Sequence, residues 1–418
     1  MKRPVLVRFR RTGFTLVEIL VATTLALLLM GAVAVMFGRV AEGITDSRSM
    51  LEAADRLRLA ETRLQMDLAG ITATVCPPLK PENNEGYFEY IEGPALTNSG
   101  IAVNSDTGGT DTTVGDFDDI LMFTTRTTTG KPFIGRFGIT TIQSDVAEVA
   151  WFLRGRTLHR RVLLVAPNVT IPPPPGTTNY YANYDISARA LYDAGGTIIG
   201  YAPNTLGDLT RRECRFAHPA TFPCDVRLWQ WTVGTTEFPT LPTLWECSST
   251  GWSTEQLPPP PPPHPVSALD LWTNADGYRL PDNQFILDAT RNRVSDDVIL
   301  TNVIGFDVKA WDPLQNDYVD LGYDELSSLR GLNHPGQTIT GSDTTARVYD
   351  TWSTTNYHPN WNNGIDDNTD GIVDDDAEKL YPPPYPIPLR GIQVKIRVFE
   401  PDSRQVREVT VVQDFLPR

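Results

Sequence analysis

Cysteine is scarce in this chain of 418 residues: there are four, Cys76, Cys214, Cys224 and Cys247, and no two form a CxxC pair. That spacing argues against zinc-ribbon and thioredoxin-type chemistry. The five histidines are scattered, with no HxH, HxxxH or HExxH, and GxSxG, Walker and dinucleotide fingerprints are absent. No catalytic signature remains, so the chain is not expected to be an enzyme. Cations are in deficit, with 36 Lys+Arg against 51 Asp+Glu and a net charge of −15. Nucleic acid is therefore not expected as a partner, because phosphate binding needs clustered cations. Proline is missing from Val5 to Cys76, although the chain holds 34 prolines and 31 glycines. Beyond that point the prolines cluster, which suggests strands and long loops rather than a helical bundle. With 40% apolar and 21% charged residues the chain can bury a sizeable core, in one large or two medium domains.

The first forty residues are the most informative. Residues 1–13 carry Lys2, Arg3, Arg8, Arg10 and Arg11 and no acid. From Phe14 to Phe37 the one ionisable group is Glu18. At about 1.5 Å per residue a helix of this length spans the ~30 Å hydrocarbon layer. The basic flank should stay in the cytoplasm and the rest of the chain outside. A signal peptide would be cut at small residues such as Ala32-Val33-Ala34, but this apolar run is longer than the usual core. A plain anchor leaves Glu18 unexplained, since a carboxylate costs about 2.5–3.5 kcal/mol at mid-bilayer and less near its edge.

The run Arg10-Arg11-Thr12-Gly13-Phe14-Thr15-Leu16-Val17-Glu18-Ile19-Leu20 resembles the class III leader of type IV pilins and type II secretion pseudopilins. The resemblance implies that a prepilin peptidase cuts between Gly13 and Phe14 on the cytoplasmic side and methylates Phe14. Glu18 matches the family's acidic fifth mature residue, implied to guide assembly by neutralising a neighbouring subunit's buried amine. Removing the five leader cations deepens the net charge to about −20, an acidic surface suited to cations or basic partner patches. The implied partners are other pseudopilins or pilins, the prepilin peptidase, the inner-membrane assembly platform and membrane lipid.

After the anchor (14–37) the periplasmic half of the helix is expected over 38–75. Val40, Ile44, Leu51, Ala54, Leu57, Leu64, Leu68 and Ile71 recur at steps of three, four and seven, the mark of one helix face. That half should lie across a sheet. Strands are expected at Asp118–Thr125, in a hairpin of Glu148–Arg154 with Thr157–Val165, and over Val298–Trp311. In the last hairpin Ile392, Val394, Ile396 and Val398 alternate with polar residues, then turn at Glu400-Pro401-Asp402-Ser403 into Val406–Val412. The expected fold is α+β: a long N-terminal helix on an antiparallel β-sheet domain over 76–418. Two irregular insertions are expected to show little order apart from locally stapled pieces. One, at about 166–295, is rich in Pro and Trp; the other, at about 312–388, is acidic. The order of strands resembles the J-type minor pseudopilin of type II secretion and W-type minor pilins, which implies a place in a filament tip complex. A tip subunit of a type IV pilus, acting in adhesion or DNA uptake, is the alternative.

Two further sites are legible. Residues 366–374 contain D-x-N-x-D-G-x-x-D, with oxygens on Asp366, Asn368, Asp370 and Asp374 and the backbone carbonyl of Ile372. Alternating oxygens around a turn-forming Gly371 can converge on Ca2+, although Ala377 stands where an EF-hand-type loop has its bidentate Glu. Cys214 and Cys224 are the natural disulfide in an oxidising periplasm, stabilising by roughly 2–3 kcal/mol, and Cys76 with Cys247 the second. Four cysteines allow three pairings, and spacing does not choose among them.

Overall fold

The computed structural model describes residues 14–75, 81–92, 116, 119–154, 156–172, 180–192, 198–211, 214–216, 230–233, 236–239, 241, 297–312, 316–321, 337–338, 347–351, 389–401 and 403–415. The chain divides into two compact units, Met1–Glu52 and Ala53–Arg418.

The first unit is built by the N-terminal part of helix α1 (Leu16–Ala69), whose 54 residues extend about 80 Å. No proline removes a backbone donor along it. Its large apolar side chains from Leu16 to Ile44 are exposed. The hydroxyls of Thr23 and Thr24 donate to the Leu20 carbonyl at 3.0 and 2.8 Å, so the polar groups in the apolar stretch are satisfied inside the helix. Among the described residues this is the one helix long and apolar enough to cross a membrane, with a mean hydropathy of 2.5 over its most apolar window.

In the second unit the strands follow in chain order. They are β1 (Phe88–Glu92), β2 (Ile120–Arg126), β3 (Phe133–Phe137), β4 (Thr140–Ser144), β5 (Val146–Arg154) and β6 (Thr157–Leu164). A short helix α2 (Tyr180–Asn183) precedes β7 (Ala188–Tyr192), β8 (Ile198–Pro203), β9 (Gln230–Val233) and β10 (Thr236–Pro239). Then come β11 (Val298–Leu300), β12 (Val303–Asp312), β13 (Asp317–Val319), β14 (Gln337–Thr338), β15 (Arg347–Asp350), β16 (Gly391–Glu400) and β17 (Gln405–Asp414). The main sheet has the order β11-β6-β5-β2-β1-β15-β14, and a second has the order β13-β12-β16-β17. All named pairs are antiparallel. The fold is α+β, as read from the sequence.

Two apolar cores lie on opposite faces of the main sheet. Leu121 and Phe123 of β2, with Val149 and Trp151 of β5, join Leu57, Ala60, Leu64 and Leu68 of α1 and Ile392, Val394 and Ile396 of β16 in one core. The alternate residues Ile120, Met122, Ala150 and Phe152 face the other way. There they meet Tyr180, Tyr181, Ile186, Leu209 and Phe216, all from the first insertion. Burial on both faces is why Ile120–Phe123 reads as an unbroken apolar run rather than an alternating one.

Within the second unit the helix face read from the sequence is packed through Leu57, Ala60, Leu64 and Leu68, with Ala53 buried on the same side. The helix stops at Ala69 because the next residue must approach β2 closely. A Cβ on Gly70 would lie 2.1 Å from the Arg126 carbonyl oxygen, and the Arg126 amide donates to the Gly70 carbonyl at 2.7 Å.

Candidate functional site

The site the sequence points to most directly is the start of α1. Phe14, the residue the leader reading places at the mature N-terminus, is exposed, and Gly13 lies outside the described residues. Thr15 stands at the N-cap. Its amide and hydroxyl both donate to the Glu18 carboxylate, at 2.8 and 2.9 Å, and the Glu18 amide donates to the Thr15 hydroxyl at 3.3 Å. This reciprocal arrangement is a capping box, which satisfies helix-start donors in lipid as in water. Sequence reading assigned Glu18 to a neighbouring subunit and missed its use within its own helix. The signal was present as Thr15-x-x-Glu18 directly before an apolar run. The two uses are compatible, because a carboxylate offers about four acceptor positions and the box occupies one oxygen.

A second feature went unseen in the sequence because folding assembles it. Ile91 pairs with Ile120, so the next step along each strand sets Glu92 beside Asp119. Asp116 joins them, with ligand oxygens of the three buried residues within 4.8 Å of one another. Much of this charge is already met by donors. The Val308 amide donates to Asp119 at 2.6 Å, the Leu321 amide to Glu92 at 3.3 Å, and the Tyr90 hydroxyl bonds to Glu92 and to the Val308 carbonyl. Burial first, then Asp119 and Glu92, push the Tyr90 hydroxyl well above the ordinary tyrosine range, so it stays a donor. Burial works against the Lys309 ammonium, but Asp307, Asp320 and Glu92 outweigh it and raise its pKa.

Other buried charges tie elements together. Asp67 of α1 takes a fork from Arg160 of β6, at 2.6 and 2.8 Å, and the indole N–H of Trp151 of β5 at 3.0 Å. Arg215, from the first insertion, reaches Glu89 of β1 at 3.1 Å and Asp350 of β15 at 2.8 Å and lies over the Tyr87 ring. Glu148 of β5 accepts from the Tyr87 hydroxyl at 2.8 Å, the Ser187 hydroxyl at 2.5 Å and the Phe216 amide at 3.0 Å. These contacts fix the insertion to the sheet.

The remaining sequence-derived sites fall largely outside the described residues. Asp366, Asn368, Asp370, Ile372, Asp374 and Cys224 lie outside the described residues. Cys214 is buried, and its carbonyl accepts from the Asn204 side chain at 2.7 Å.

The family model for the prokaryotic N-terminal methylation motif matches residues 8–34. Residues 8–34 thus carry a prepilin-like methylation motif, similar to the class III leader of type IV pilins and pseudopilins, and it runs into a capped apolar helix long enough to cross a membrane. Such a leader implies processing by a prepilin peptidase and assembly with other pilins. No curated protein and no solved structure matches the chain.

Proposed function

We propose that the chain is a minor pseudopilin of a type II secretion system, assembled through α1 into the tip of a periplasmic pseudopilus that supports protein export. The N-terminus lies in the cytoplasm before processing, and the β-rich unit lies in the periplasm. Its work is assembly and not catalysis. The observation that carries this reading is the methylation motif at 8–34 running into a helix with a membrane-length apolar stretch and a capped start. A tip subunit of a type IV pilus is the second reading, favoured by the same motif.

Mass spectrometry of the chain from a peptidase-competent host tests the first step. A mature N-terminus of methylated Phe14 is expected; an unprocessed chain, or one cut after Ala34, defeats the proposal. Isolation of the crosslinked filament then separates the two systems by the subunits that come with it.

Ca2+ binding at 366–374 belongs to the same proposal, on the strength of the oxygen spacing alone. The lost ligand at Ala377 points to weak affinity, about 10⁻⁴–10⁻³ M. Isothermal titration of the full chain in neutral detergent should give heat that disappears in the double variant Asp366→Ala, Asp370→Ala. No heat from the parent chain at millimolar Ca2+ overturns it.

A further inference from the structure

A groove of about 760 Å³ lies between the last turns of α1 and the segment 126–134 that leads from β2 into β3. That volume lies in the range of built ligand pockets. Its lining carries a sign opposite to that of the chain. Four cations, Arg63, Arg126, Lys131 and Arg160, face two carboxylates, Asp67 and Asp185, whereas the whole chain has a net charge of −15. Arg160 and Asp67 are spent on each other, as described above. Asp185 accepts the Arg136 amide at 2.7 Å. The other three cations, Arg63, Arg126 and Lys131, are exposed and make no ion pair with a described residue. The same lining holds apolar side chains exposed to water: Met66 of α1 is 37% exposed and Ile134 of β3 63% exposed.

We propose that this groove docks an acidic segment of a partner polypeptide, one that also carries apolar side chains. Charge complementarity selects the sign of the partner, because the three unpaired cations leave the groove lining net positive in a chain of net charge −15 and so attract carboxylates locally. The exposed apolar residues of the same lining select a polypeptide over a bare phosphate or lipid headgroup, since they reward apolar side chains that accompany the carboxylates. The inference goes beyond the assembly reading and does not depend on it, because binding is measured on the isolated chain.

The probe is a fluorescein-labelled synthetic peptide of Glu and Leu in equal number, read by anisotropy against the full chain in neutral detergent. Saturable binding is expected, weakening as salt rises. The triple variant Arg63→Glu, Arg126→Glu, Lys131→Glu should weaken it by about tenfold or more, with the melting temperature held, since all three side chains are exposed. If that variant does not fold, Arg63→Gln with Lys131→Gln is read instead, and about threefold weakening is expected. The matching Lys and Leu peptide, which the acidic surface can attract elsewhere, should bind the triple variant no more weakly than the parent. The proposal is overturned if the acidic peptide fails to bind, if it binds the variants as well as the parent, or if phosphatidylglycerol vesicles bind through the three cations and the peptide does not.

Discussion

At the residue scale, Thr15 and Glu18 decide how a helix can begin at a membrane surface. The first turn of any helix has N–H groups with no intrahelical partner, and lipid offers none. Thr15 and Glu18 supply them from the sequence itself. Thr15→Ala should cost about 1 kcal/mol of local helix stability. Amide exchange at Glu18 in the detergent-solubilised chain should then rise about fivefold, and Thr15→Ser should restore the parent rate. Equal exchange in all three proteins would show that the cap carries no weight. Glu18→Gln divides the two uses of this residue: its side-chain carbonyl can still close the box, while the charge for a neighbour's amine is gone. Near-parental exchange with reduced incorporation into filaments is the expected outcome for that variant.

At the scale of elements, one buried fork joins α1 to the main sheet. Asp67 is set on the packed face by the same 3.6 period that brings Leu57, Ala60, Leu64 and Leu68 to the core. Removing it strands the Arg160 guanidinium and the Trp151 indole N–H away from water. Asp67→Ala should therefore destabilise by about 3–5 kcal/mol, whereas Asp67→Leu with Arg160→Met should recover most of the loss. Denaturant unfolding followed by tryptophan fluorescence reads both. A midpoint for Asp67→Ala no different from that of a surface substitution would remove the fork from the account. Nothing in the sequence singled out Asp67 from the other acids of α1. Its partner lies 93 positions away, and only the β5–β6 register brings Trp151 opposite Arg160. By contrast the β16–β17 hairpin was legible from alternation alone, because Ile392, Val394, Ile396 and Val398 share one buried face.

At the scale of the whole molecule, the buried Asp297–Arg161 pair makes the β-rich unit sensitive to acid. Burial works to raise the pKa of Asp297; the Arg161 guanidinium, helped by His159, overcomes it and holds the carboxyl well below the usual carboxylate range. Above the unfolded value of 3.8 the carboxylate is ionised in both states, and its pairing favours the fold in full. As the pH falls below that value the unfolded chain takes up the proton first, and the contribution drains away. Stability of the parent should thus fall below about pH 4, and Asp297→Asn should flatten that part of the curve while lowering stability at neutral pH. A variant with the same acid dependence as the parent would contradict this. The sequence by itself determined the leader, the helix, its membrane-length apolar stretch and the strands with one buried face. Each of these is a local pattern, readable from charge order, hydrophobic period and turn residues. Tertiary structure alone decided that part of the proline-rich insertion covers the second face of the main sheet, through Tyr180, Ile186, Leu209 and Phe216. It alone gathered Glu92, Asp116 and Asp119, and it alone lined one groove with unpaired cations in an acidic chain. The physical reason is common to all three: strand pairing joins residues far apart in the chain, and register, which no local pattern states, selects which of them meet.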